Sequence, residues 1–363
     1  MKLDVLLQKI NMINFAQQAT ELRPEFTVKV DIPPDKSNLR RGGMNAHILV
    51  SDGLKRLARV RQTSTASTPV IIQSEIETMC LLKAEGMQVP NAFVPKSRHN
   101  EDLHYFFIEY LEGHPCSAPI SKSSLTEDPC HRISDRLLFG GEIRGLISPD
   151  FLQDTPPFFF GPFQSSAHRY LAQMDHVLKH YEQSDQFSDA GISTYVAHLW
   201  LRGLIQDTDI GSDGPTFLKH ADDKGDQIII GTDAKLVGLV DWEWASTASK
   251  GEAFAAPLAP VHIDSFFSCS NDLSSNEEKL LRTFADLAEC VLKGKVYQRL
   301  PMLIGQEPDL AQIHACEHGL TGKRGTGPTI DEWVERLIKH RYKDVSVLQK
   351  GIGTRIRNEC DCS

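Results

Sequence analysis

Nowhere in the 363 residues do about 18 apolar positions run uninterrupted, so the sequence offers no membrane-spanning helix. Its first ten residues, MKLDVLLQKI, break their apolar pattern with Lys2, Asp4, Gln8 and Lys9 and do not build the core of a signal peptide. Basic charge is scarce as well. The chain has 39 Lys+Arg against 48 Asp+Glu, a formal net charge of -9 with no long basic run, which argues against nucleic acid or an anionic membrane held by bulk charge. The 8 cysteines never form a C-x-x-C pair, which removes the usual signature of a structural zinc site. They read as reduced thiols, several buried as small hydrophobes, and Cys360 and Cys362 in the polar tail carry no assigned role. Internal repeats and extended low-complexity tracts are missing too. The expectation is a soluble, cytoplasmic protein with no nucleic-acid and no membrane partner; oligomeric state is left open.

What the chain does contain is length enough for two lobes and one stretch dense in hard oxygen donors. In 217–245, FLKHADDKGDQIIIGTDAKLVGLVDWEWA, the β-branched run Ile228 to Ile230 and the run Leu236 to Val240 flank turn residues Gly231 to Lys235. That pattern predicts a β-hairpin. Antiparallel pairing brings Asp226 and Gln227 alongside Asp241, with directly opposed Cβ atoms roughly 5 Å apart. Three carboxylates, Asp222, Asp223 and Asp226, crowd the loop just upstream. Oxygen donors gathered this way suit Mg²⁺, which keeps substrate phosphates in its shell.

Upstream, Leu3, Leu6, Leu7, Ile10 and Ile13 predict one leading helix before the breaker Pro33-Pro34. Gly42 and Gly43 then enter a hairpin formed by the apolar run to Val50, a Ser51-Asp52-Gly53 turn and a strand over Arg56 to Val60. Paired glycines let backbone amides approach phosphate oxygens, and they serve an ordinary β-turn equally well. Arg59, inside that second strand, must face solvent or find an anion. The segment Pro69 to Gly86 predicts a helix with Ile72, Ile76, Met79, Leu81 and Leu82 along one side and Glu75 in its first turns. Glu75 is either a solvated helix charge or the partner of Arg59, the pairing with which protein kinases hold nucleotide phosphates.

His104 to Leu111 reads as an apolar strand, and the Gly/Pro/Ser-rich run Glu112 to Pro129 as a hinge. A loop with four phenylalanines, DTPPFFFGPFQSS, covers 154–166 and either walls a pocket or packs onto the lobe beneath. Helices are expected over Ser165 to Tyr181 and around Thr194 to Leu204. Ser274 with Glu277, and Thr329 with Glu332, have the spacing of capping boxes that open two further helices, the second carrying Trp333 and Leu337.

Taken together, the motifs GGMNAH (42–47), LARVR (57–61), SEIETMCLL (74–82), FFIEYLEG (106–113), HADDKGDQIII (220–230), GLVDWEWA (238–245) and the pair LSSNEEKLL and VYQRLPMLIG (273–281 and 296–305) resemble the aminoglycoside phosphotransferase and choline kinase-like family, in particular its fungal representatives. The resemblance spans residues 35 to 310, and H-x-D at 220–222 followed by D-W-E at 241–243 is its most specific part. It implies an α+β, bilobal, protein-kinase-like fold. A small N-terminal lobe would cover residues 1–112, with a hinge at 109–113, and a larger, mainly helical lobe 113–363. It also implies an ATP- and Mg²⁺-dependent phosphotransferase acting on a hydroxyl of a small-molecule substrate. Asp222 would be the catalytic-loop Asp, and Asp241 and Gln227 the metal ligands. Gly42, Gly43, Arg59 and Glu75 would serve the nucleotide phosphates, and the backbone from Glu109 to Leu111 the adenine. His220 would hold the loop in place. Three positions depart from the family: Ala221 replaces Gly in H-G-D, Gln227 replaces Asn, and Arg59 replaces Lys. They keep a pseudokinase, or a nucleotide-binding module with a degenerate loop, as the alternative.

Overall fold

The computed structural model describes residues 3–11, 15–34, 37–51, 53–95, 103–116, 163, 165–183, 189–207, 216–220, 222, 225–249, 253, 274–275, 278, 329–346 and 348. The chain divides into two units. Met1–Leu137, Leu152–Phe159 and His220–Ser246 form the first; Leu138–Phe151, Phe160–Lys219 and Thr247–Ser363 form the second. The phenylalanine-rich loop, most of the Gly/Pro/Ser-rich hinge and the helix expected after Ser274 fall largely outside the described residues.

Alternation along two strands builds the first unit. In Asn45–Ser51 (β3) the side chains of Ala46, Ile48 and Val50 are fully buried, and in Lys55–Arg61 (β4) so are Ala58 and Val60. With a period of two, these residues share one face of the hairpin. Leu6 and Ile10 of Leu3–Asn11 (α1), Phe15 and Ala19 of Phe15–Leu22 (α2), and Tyr105 and Phe107 of Tyr105–Glu109 (β6) close over it as one apolar cluster. Each large side chain buried there contributes about 1.5–3 kcal/mol. Gln18, also buried, accepts a hydrogen bond from the Tyr105 hydroxyl. The single leading helix expected from the sequence is thus two, followed by an edge strand, Lys29–Asp31 (β1). Val30 of β1 pairs with Val50, a partner twenty residues on that no local pattern announces. With Arg40–Arg41 (β2) and Ala92–Phe93 (β5), the sheet runs β1-β3-β4-β6-β5, and β2 joins β3 beside this path.

The opposite face carries Asn45, His47, Arg59 and Arg61, and over it lies Thr68–Ala84 (α3). Spacing of three and four places Ile72, Glu75, Ile76, Met79 and Leu82 on one buried side of this helix. Pro69 sits in its first turn, and it ends where Gly86 turns to a φ of 83° and the Met87 amide bonds the Leu82 carbonyl at 2.9 Å.

The predicted hairpin forms as Ile228–Ile230 (β9) and Leu236–Leu239 (β10); His114–Pro115 (β7) adds to β9. Earlier, Phe217–Lys219 makes a short strand, β8, in the second unit. Proline in β7 is tolerated at a sheet edge. Hairpin and sheet strands meet through a close approach. The Leu239 amide donates to the Gln88 carbonyl at 2.8 Å, and a Cβ on Gly238 would lie 2.7 Å from Leu111 and 2.9 Å from the Gln88 carbonyl oxygen. Only glycine fits there.

In the second unit, Ser166–Gln183 (α4), Asp189–Asp207 (α5) and Ile330–His340 (α6) share a core of Tyr170, Met174, Tyr195, Trp200, Leu201 and Trp333. The Trp200 and Trp333 rings meet edge-on at 6.0 Å. The capping box at the start of α6 is present: Glu332 Oε2 accepts from the Thr329 amide at 2.7 Å, and Thr329 Oγ1 accepts from the Glu332 amide. Among the described residues no helix is long and apolar enough to cross a membrane.

Two substitutions probe this packing. Trp333→Ala is expected to lower the free energy of unfolding by about 3–5 kcal/mol through the cavity it leaves. Gly238→Ala is expected to cost about 1–3 kcal/mol, because the Gln88 backbone carbonyl, which cannot swing aside, blocks the new methyl along with the Leu111 side chain. Urea denaturation of the two variants against the wild type measures both; a Gly238→Ala midpoint equal to wild type would contradict the close approach.

Candidate functional site

The register of β3 on β4 sets the site. Asn45 pairs with Arg61 and His47 with Arg59, so four polar side chains project from one face of neighbouring strands. Arg59 is almost fully buried, and one guanidinium meets three carboxylates. Its Nε lies 3.3 Å from Glu75 on α3, and its terminal nitrogen bonds both Asp241 and, at 3.1 Å, Glu243. The strand cation and helix carboxylate named from the sequence are therefore brought together, and Asp241 from the end of the hairpin joins them.

Glu243 was not singled out from the sequence, yet it is the hub on the other side. Buried at 3% side-chain exposure, it accepts from Arg61 through Oε1 and from Asn45 at 2.8 Å and Arg59 through Oε2. Strand parity was the signal available for its partners, since Arg61 shares the face of Arg59 and Asn45 the face of His47. For Glu243 itself, two residues past Asp241, only the pairing across a sequence separation of 198 residues reveals the role.

Asp241 adopts the left-handed conformation at φ 68° and ψ 51°, which costs a non-glycine residue about 1–2 kcal/mol. The following turn Trp242–Trp244 is a 3-10 helix whose first ring packs on His220 at 4.6 Å and donates from its indole nitrogen to the Leu239 carbonyl. His220 bonds the Val240 carbonyl through Nε2 at 2.8 Å, so that nitrogen carries the hydrogen, and its Nδ1 receives the Asp222 amide at 3.4 Å. His220 thus ties the loop of Asp222 to the end of β10, in the holding role expected for it. Gln227 is buried, gives its carbonyl to the Val240 amide, and turns Oε1 onto the Gly225 amide at 3.2 Å. Among the described residues no group of three or more His, Cys, Asp or Glu side chains could hold a metal. The available donors are the Asp241 carboxylate, 37% exposed, and the neutral Gln227 amide. This set suits a cation that arrives with phosphate oxygens of its own.

The glycine turn is open. A Cβ built on Gly42 or Gly43 meets nothing within 4 Å, and neither has a positive φ, so internal packing does not explain glycine here. Among the described residues the Gly43 and Met44 amides have no hydrogen-bond partner. At the expected adenine strand, the Glu109 amide is spent on the Asn91 carbonyl and the Tyr110 amide on the Lys55 carbonyl, each at 2.9 Å, which leaves Leu111 to offer one.

Burial and charge set the protonation states. Burial pushes the Glu75 carboxyl up to about 7, only partly offset by Arg59, with Glu243 and Asp241 adding to the rise. Burial also acts to raise Asp241, but the charge and hydrogen bond of Arg59 outweigh it and hold the carboxyl below its ordinary value. Arg59 is held above its ordinary value: burial opposes its charge, and Glu75, Asp241 and Glu243 overcome that. Burial, then Arg59, push the His47 imidazole down to about 4, so the ring adds no charge at pH 7.

Glu75 and His47 load opposite slopes onto stability. A carboxyl raised from 4.5 to about 7 favours the fold below 4.5 and loses that contribution as pH rises to 7. An imidazole lowered from 6.5 to about 4 contributes above 6.5 and loses it as pH falls to 4. Glu75→Gln is expected to leave the His47 slope alone, so stability drops on acidification below 6.5 by up to about 1.4 kcal/mol per pH unit. His47→Asn is expected to leave the opposite slope, stability rising on acidification from 7 to 4.5. Urea midpoints across this range check both, and parallel profiles for the two variants would refute the assignment.

No protein-family model matches the chain, and no curated protein matches it in sequence. Solved structures match in fold. A thermostable mutant of aminoglycoside phosphotransferase APH(4)-Ia, in ternary complex with AMP-PNP and hygromycin B, aligns with a TM-score of 0.51 at 13% identity over 86% of this chain and 100% of the other. Plasmodium vivax ethanolamine kinase aligns at 0.46 and 12% identity over 94% of this chain and 86% of its own. ADP-bound aminoglycoside phosphotransferase APH(2'')-Ib gives 0.45 and 14% over 89% and 97%. The sheet with its crossing helix, the hairpin and the helical unit accordingly make up an α+β, protein-kinase-like fold of the kind seen in the aminoglycoside phosphotransferases.

Proposed function

We propose that this protein is a small-molecule kinase that transfers the γ-phosphoryl group of ATP, with Mg²⁺, to a hydroxyl of its substrate. The observation that carries the reading is Arg59, held between Glu75 of α3 and Asp241 of the hairpin, on the sheet face next to an open glycine turn. Phosphoryl transfer asks little covalent work of a protein; positioning and charge stabilisation supply most of the effect. Here the free amides of Gly43 and Met44 donate to the phosphate oxygens and the Arg59 fork pairs with them in two-pronged fashion. Asp241, held ionised by Arg59, and Gln227 hold the metal, which when bound neutralises charge on the phosphates. Asp222 takes the proton of the attacking hydroxyl, and the Leu111 amide meets the adenine. That a structural neighbour was crystallised with AMP-PNP and hygromycin B supports a nucleotide and a hydroxylated acceptor as the substrate pair. Kinship with the fungal members rests on the motifs alone.

One observation favours the second reading, a nucleotide-binding module that no longer transfers phosphate. Gln227 directs its amide oxygen to Gly225, away from the role of its shorter Asn counterpart.

A single set of measurements separates the two. Mg-ATP is expected to raise the thermal midpoint of the wild type and of Asp222→Ala, whereas Asp241→Ala loses that shift. With a pool of hydroxylated metabolites, wild type is expected to produce an ATP-dependent mass gain of 80 Da, the mass of one added phosphoryl group, that falls about 10²–10⁴-fold in Asp222→Ala. Stabilisation by Mg-ATP without mass gain favours the module. The absence of any nucleotide-induced shift refutes both.

A further inference from the structure

The glycine turn is braced by one side chain that neither the motifs nor the kinase reading uses. Gln62 follows β4 directly, next to Arg61, and its amide nitrogen Nε2 donates to the Gly42 carbonyl at 2.8 Å and lies 3.3 Å from the carbonyls of Gly43 and Asn45. Its backbone amide takes the remaining carbonyl of the turn, Met44, at 3.0 Å. All four carbonyls from Gly42 to Asn45 therefore face one residue. Where a turn commits its carbonyls to one side, the amides between them are turned away from that side, and those of Gly43 and Met44 are the pair with no partner among the described residues. Successive free amides of this kind form an anion-binding concavity.

The far end of the turn is fixed independently. Asn45, the first residue of β3, is tied by its side chain to Glu243, which Arg61 also holds. Gln62 and Arg61 are adjacent in the chain and grip opposite ends of the same four-residue turn, one through its carbonyls and the other through Glu243. A glycine turn left to itself pays conformational entropy when a phosphate orders it. This one is ordered beforehand.

We propose that Gln62 is a positioning residue for nucleotide phosphates: by holding the carbonyls of residues 42–45 to one side, it presets the Gly43 and Met44 amides as a phosphate cradle. The inference rests on the kinase reading and adds to it a residue that touches no ligand. It predicts an effect on phosphorylated ligands alone, since adenosine makes no use of the turn.

Gln62→Met keeps the length of the side chain and removes the donor; Gln62→Glu keeps the shape and replaces the donor by an acceptor that repels the carbonyls. Isothermal titration of the full chain with Mg-ATP, Mg-ADP and adenosine, together with thermal midpoints, forms the test. Gln62→Met is expected to weaken Mg-ATP about tenfold and Mg-ADP to a similar or smaller degree, Gln62→Glu more than that, with adenosine affinity unchanged. Because Gln62 is part-exposed, the thermal midpoints are expected to stay near wild type. Equal weakening of ATP and adenosine, or a lowered midpoint that accounts for the loss, would show Gln62 to be merely structural and overturn the proposal. So would an ATP affinity unchanged in both variants. If wild type binds adenosine and Mg-ATP while the variants match it, only Gln62 is reassigned; if wild type binds neither, the kinase reading falls and the proposal with it.

Discussion

A guanidinium buried among carboxylates is the constraint on which the rest of the first unit depends. Arg59 has given up nearly all its water, and a lone cation in that position would cost several kcal/mol. Its cost is met by Glu75 from a helix, Asp241 from the end of a hairpin and Glu243 from the turn that follows. The chain segments that supply these partners are drawn onto one face of β4 by the same charge. Two arginines face three carboxylates in this network, and burial shifts the surplus onto Glu75, which is pushed up to about 7.

Apolar packing determines where that network can form. The face of β3 and β4 that carries Ala46, Ile48, Val50, Ala58 and Val60 is sealed by α1 and α2, so the polar face can only turn towards α3. Gly238 lets β10 approach the Gln88 backbone and the Leu111 side chain closely, which brings Asp241 within reach of Arg59. His220, packed on Trp242 and bonded to the Val240 carbonyl, then ties the Asp222 loop to the same strand end. Each contact is ordinary in strength. Together they leave few positions for the ends of the hairpin.

Much of this was legible in the amino-acid order. The hairpin at 228–239, the helix over 68–84 and the helix opened by Thr329 and Glu332 follow from short-range patterns: β-branched runs around a turn, an apolar stripe ended by glycine, a capping box. The pairing of Arg59 with Glu75 was one of two readings of a lone strand cation and a helix carboxylate, and the fold selects it. The two-residue strands β5 and β7 and the edge strand β1 were not legible, because strands so short carry no periodic signal and take their bonds from residues far along the chain. The departure at Gln227 was visible in the sequence; its consequence, an amide oxygen committed to Gly225, was not.

The sequence by itself determined the local elements and the kinds of chemical group the site contains, since helix period, strand parity and turn residues act within a few neighbours. Tertiary structure alone decided that Arg59 serves three carboxylates rather than one, that Glu243 binds Asn45 and Arg61, and that Gln62 braces the glycine turn. Those are choices among partners of equal chemical suitability. Proximity between chain segments from 17 to 198 residues apart makes the selection, and only the folded chain sets that proximity.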